Sequence, residues 1–207
     1  MKKLLIIVVL SLWANFIVAD SYKVLYVNDA NLTYKDGRKV QKGDVIPDAS
    51  SIKWEKAKQA VKVINQSTKR QALFTGRNYV RPEGADALVY IKHASTQASG
   101  NSIHAKLYNT FKSQYELLDS IEVPTDLELS DDCYFTAAYM YGDTKIVNRL
   151  NYKDGNVIID KSIFHVDDKV LEPRDVTLSI EYVNRKENKN VYVRDKIELL
   201  VIPETLE

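Results

Sequence analysis

Turn residues divide the stretch Asp36–Asn65 (DGRKVQKGDVIPDASSIKWEKAKQAVKVIN) into three short strands, and this punctuation limits the fold more than any other feature. A basic hairpin passes through Asp36 and Gly37, where glycine accepts the positive φ that a tight turn demands. A second turn falls at Lys42, Gly43 and Asp44, and the last strand carries Trp54. Upstream, Tyr22–Val27 reads as an opening strand ended by Asn28 and Asp29. Between Trp54 and Ile64 the periodicity is two-sided. Ala57, Ala60, Val61 and Ile64 share a helical face, while Val61 and Val63 alternate with Ala60, Lys62 and Ile64 along a strand. The turn at Ser67 and Thr68, followed by QALFT at Gln71–Thr75, favours the strand. Strands at such close intervals predict a small β-barrel or curled sheet over residues 20–82.

Residues 83–125 read as a connector. It holds a strand at Ala87–Lys92, a polar loop through Gly100 and a helix capped by Ser102, with Ile103, Leu107, Phe111 and Tyr115 on one face. Leu117, Leu118 and Ile121 then lead into a strand that Pro124 stops. From residue 126 to 207 the pattern is of strands without βαβ spacing: Cys133–Tyr141, Ile146–Tyr152, Val157–Ile163, Val176–Val183 and Asn190–Val201. Lys153, Asp154, Gly155 and Asn156 mark a hairpin. The expectation is a mainly β protein whose second part is an antiparallel sandwich, immunoglobulin-like but without the cysteine pair.

The runs GRKVQKGDVIPDASSIKWEKAKQAVKVIN, LVYIKHASTQ, FKSQYELLDSIEVP and LNYKDGNVIIDKSIFHVDD are similar to those of a group of secreted or periplasmic proteins of Bacteroidota that has no assigned activity. The resemblance implies an envelope location and a two-part β-rich body, and it transfers no catalytic residue. The first half also resembles bacterial SH3-like barrels in its strand spacing.

Residues 1–19 have the form of a signal peptide: Lys2 and Lys3, an apolar run at Leu4–Leu12, and Ile17, Val18 and Ala19 before a cleavage point at Asp20. An uncleaved anchor is the alternative. No cysteine follows the apolar run, so a lipoprotein is not expected, and no transmembrane span is expected beyond residue 19. The chain from Asp20 holds 27 basic and 28 acidic residues, and this near-neutral balance gives no support to a nucleic-acid partner. The sole cysteine, Cys133, leaves no intrachain disulfide to form.

No catalytic motif is present, and neither a metal nor a cofactor is expected. Cys133 would act as a nucleophile only if His93, His104 or His165 approached it; the flanking Asp131 and Asp132 raise a thiol pKa, and Tyr134 and Phe135 favour burial. The pairs Asp131–Asp132 and Asp167–Asp168 are adjacent residues, a poor match to two carboxyls flanking a glycosidic bond. Thirteen tyrosines set against Trp54, the one tryptophan after residue 19, are the more informative usage. Amphipathic rings suit recognition surfaces, and on the SH3-like analogy Trp54, Tyr34 and Tyr79 are the candidate binding residues. The expected function is a non-enzymatic envelope protein that binds or assembles with a protein or surface polymer. A hydrolase using Cys133 with a histidine, or a subunit of an outer-membrane or secretion assembly, are the alternatives.

Overall fold

The computed structural model describes residues 20–80 and 103–206, so the expected leader, the Ala87–Lys92 strand and His93 lie outside the described residues. The described residues form two compact units, 20–80 together with 205–206, and 103–204.

In the first unit β1 (Tyr22–Val27), β3 (Val45–Ile46), β5 (Ala60–Asn65) and β6 (Gln71–Thr75) form an antiparallel sheet in the order β3-β1-β5-β6. Two further strands, β2 (Thr33–Tyr34) and β4 (Ile52–Lys53), pair beside it. The strand reading of 60–64 is the one that forms. Its β-branched residues set Val63 opposite Val24 and Val61 opposite Val27 and Phe74, so that one face buries Val24, Val61 and Val63 with Leu32, Ile46 and Ile52. The turn that makes this possible is held by Asn65, whose Oδ1 accepts from Ser67 N and Thr68 N at 2.9 and 2.8 Å. Among the described residues no sheet closes into a barrel. β3, at two residues, lies at the edge of the four-stranded sheet.

The second unit begins with α1 (Ile103–Thr110), β7 (Gln114–Leu117) and β8 (Ser120–Pro124). It continues through β9 (Cys133–Tyr141), β10 (Thr144–Arg149), β11 (Asn151–Lys153), β12 (Asn156–Asp160), β13 (His165–Val166), β14 (Lys169–Val170), β15 (Val176–Asn184) and β16 (Lys189–Val201). Five strands make one sheet, β10-β9-β15-β16-β7, three make another, β11-β12-β8, and β13 pairs with β14. A single core takes Phe135, Ala137, Tyr139, Leu178 and Ile180 from the larger sheet, Val123, Val157 and Ile159 from the smaller, Leu107 from α1 and Phe111 from just past its end.

Four boundaries differ from the sequence expectation. The connector 83–125 is not a separate piece where it is described: α1, β7 and β8 belong to the second unit. Its helix stops at Thr110, short of Phe111 and Tyr115, because β7 pairs parallel with β16, setting Tyr115 opposite Leu199, and Ser113 O accepts from Glu198 N at 2.9 Å. The expected strand Ile146–Tyr152 breaks at buried Leu150, whose N–H reaches Phe135 O, and there the chain passes from the larger sheet to the smaller. Val157–Ile163 likewise ends at Asp160, whose carboxylate caps a 3-10 turn over Lys161–Phe164.

Candidate functional site

Trp54 follows β4 and donates its indole Nε1–H to Ala49 O at 2.9 Å, which fixes the ring against the first-unit core. Tyr79 closes a 3-10 turn over Gly76–Asn78 through a bond from its N–H to Gly76 O. The two rings stack, with centroids 5.8 Å apart and planes 19° from parallel. Gly76 permits the approach: a Cβ there would collide with the Lys56 carbonyl and lie 3.4 Å from Trp54 Cε3. Tyr79 is 50 % exposed while Trp54 is half-buried, so the pair forms an aromatic shelf with a fixed inner ring and an accessible outer one.

A buried polar network sets the position of this shelf. Asp29 Oδ2 accepts from Gln59 Nε2 at 2.8 Å, and Gln59 Oε1 accepts from the backbone N–H groups of Glu55 and Lys56 at 2.7 and 3.0 Å. Gly76 N in turn donates to Gln59 O at 2.9 Å. Asn28 closes the far side, its Oδ1 accepting from Ala60 N and its Nδ2 donating to Lys58 O. Leu206 N donates to Asn28 O at 2.7 Å, which ties the C-terminal residues to the same corner. The hydrogen bond from Gln59 is the main cause of Asp29's pKa lying below the ordinary carboxylate value. Asn28 and Asp29 read in the sequence only as strand terminators, and Gln59 carried no signal, because the carboxylate its amide meets lies 30 residues away.

Tyr34 lies elsewhere. It is 8 % exposed, donates its hydroxyl to Asp44 Oδ2 at 2.8 Å, and has the Arg38 guanidinium 5.3 Å from its ring centre. Burial, then the bond to Asp44, holds its phenol well above the usual range. It lines a hollow of about 420 Å³ with Arg38, Asp44, Val45, Pro47 and Ser51, to which neither Trp54 nor Tyr79 contributes. Of the three expected binding residues the structure brings together two.

Cys133 begins β9 as a buried residue. Burial, reinforced by the neighbouring Cys133, pushes the Tyr182 phenol up to about 12. His165 is exposed on β13. Asp131 pairs with Arg149 at 3.0 Å, while Asp167 sits at φ 51° in the turn between β13 and β14. Among the described residues no group of three His, Cys, Asp or Glu is placed to hold a metal ion, and no helix is long and apolar enough to cross a membrane. No protein family, curated protein or solved structure matches this chain.

Proposed function

We propose that this chain is an exported, non-enzymatic envelope protein, built as a curled SH3-like sheet followed by an antiparallel sandwich, that binds a protein or surface polymer through its first unit. The observation that carries this reading is the Trp54–Tyr79 stack, a flat amphipathic ring held outward on a rigid support. The burial of Cys133 weighs against the thiol hydrolase, since a nucleophilic cysteine needs a base or cation and access to solvent. A thiol reagent should therefore leave Cys133 unmodified until denaturant is added; rapid modification of the folded chain would revive the enzyme reading.

Because Trp54 is the only tryptophan after residue 19, its fluorescence reports on the shelf directly. Titrating the chain from Asp20 with solubilised envelope polymers should shift or quench that emission, and Tyr79→Ala should weaken the response about tenfold, the loss of roughly one stacking contact. Emission that never changes, or an unaltered Tyr79→Ala titration, would remove the shelf as a site.

One observation favours the assembly-subunit reading. Met140 and Val147, each 56 % exposed, and Tyr192, 45 % exposed, lie on the outward face of the five-stranded sheet. Self-association or partner capture that is abolished by Val147→Lys, with shelf fluorescence unchanged, would support it.

A further inference from the structure

The near-neutral charge of the whole chain conceals a separation that follows the unit boundary. Residues 20–80 hold twelve Lys and Arg against six Asp and Glu, whereas residues 103–204 hold thirteen against nineteen. The first unit is thus net positive by six and the second net negative by six. Most of the six acids of the first unit are also engaged within it. Asp29 is buried in the Gln59 network, Asp44 accepts from Tyr34, Asp36 bonds Arg38 at 2.9 Å, and Glu55 bonds Lys53 at 2.7 Å. Nine of the twelve cations are exposed.

Strand register orders part of this charge. Thr33 pairs with Lys53 on one side and bridges to Lys39 on the other, so Lys39, Thr33 and Lys53 form a row across three chain segments. Directly opposed residues share a face, and two strand spacings put the lysines about 10 Å apart. Tyr34 and Ile52, next along the same ladder, are buried, which leaves the lysine row facing out, with Lys53 holding Glu55 in an exposed pair that a polyanion would have to displace. Lys53 adjoins Trp54, and Arg77 lies in the turn that Tyr79 closes.

We infer that the first unit binds an acidic polysaccharide, its carboxylates meeting the Lys39–Lys53 row and a sugar face resting on the Trp54–Tyr79 shelf. This rests on the shelf reading above and adds the chemistry of the ligand. A single-stranded nucleic acid would call for successive stacking platforms. Here Tyr22 and Phe74 pack edge to face with each other against the core, Tyr34 is buried, and Tyr79 is the one strongly exposed aromatic ring of the unit's described residues. The cations are nine lysines and three arginines, point charges suited to spaced carboxylates and short of the bidentate forks that phosphate recognition favours.

The test uses the chain from Asp20 to Glu207 with three probes: sodium polygalacturonate, neutral dextran, and a single-stranded oligonucleotide, each titrated at low and high salt. Polygalacturonate should bind, with affinity falling at least about tenfold as salt rises, because exposed charges lose reach within a Debye length of about 8 Å. Lys39→Glu with Lys53→Glu should cost a further factor of about ten, while Lys145→Glu with Lys153→Glu in the second unit should leave binding within about twofold. Circular dichroism and the melting temperature establish that both double variants are folded. Dextran bound as tightly as polygalacturonate, with no salt dependence, would overturn the acidic-ligand inference and leave the shelf reading standing. Tighter binding of the oligonucleotide would overturn it in favour of nucleic acid. Silence with all three probes, alongside a Trp54 response to some other envelope polymer, would overturn this inference alone.

Discussion

Gly76 and Asp29 do the most at the residue scale, and neither lies among the aromatic residues the sequence draws attention to. Gly76→Ala forces a methyl group onto the Lys56 carbonyl, so the melt should show a loss of about 1–3 kcal/mol, the usual cost of overpacking. Trp54 emission should move to the red as the shelf opens. A variant as stable as the parent with unchanged emission would mean that the backbone gives way freely there. Asp29 predicts a pH dependence whose sign is fixed by its lowered pKa. The ionised form is favoured by the fold, so its contribution is complete above its ordinary value of 3.8 and is lost as pH falls through the lower folded value. Asp29→Asn, which sets an amide against the Gln59 amide, should cost about 1–3 kcal/mol near neutrality. In urea melts that difference should shrink below about pH 4. A difference that stays constant or widens in acid would contradict the network as described.

At the scale of elements, local signals were legible and long-range ones were not. The hairpin between β11 and β12 follows from Asp154 and Gly155, which adopt φ of 51° and 76°, as a two-residue turn of the primed kind needs. The β5–β6 hairpin was legible for a similar reason, its turn residues and β-branched run pointing to the same state. The end of α1 was not legible, because the residue that meets it is 83 positions away: Arg194 on β16 donates to Phe111 O at 2.7 Å and lies 4.6 Å from the Tyr108 ring centre. A cation at a helix C-terminus satisfies carbonyls that the helix leaves open and complements its dipole. Arg194→Met keeps the apolar stem and removes the donor, and should cost about 2 kcal/mol, within the range for a charged hydrogen bond. Hydrogen exchange should speed in residues 107–112 before it does in β9 or β15. Uniform exchange along the whole unit would show that the helix end does not depend on this contact.

At the scale of the whole molecule, the sequence reading of mainly β structure holds and several antiparallel sheets form, although one strand pair, β7 with β16, runs parallel. The site was half legible: residue type pointed to Trp54 and Tyr79, but periodicity gave no way to see that Tyr34 spends its hydroxyl on Asp44. The separation of charge was present in the sequence and was averaged away by counting over the full length; the unit boundary supplied the window over which to count. The central claim is that binding belongs to the first unit, and amide chemical shifts of the isotope-labelled chain from Asp20, recorded with and without polygalacturonate, test it most directly. The account predicts perturbations concentrated in residues 33–39, 53–58 and 76–79, with β9, β15 and β16 unmoved. Perturbations centred on the five-stranded sheet, around Met140, Val147 and Tyr192, would contradict it.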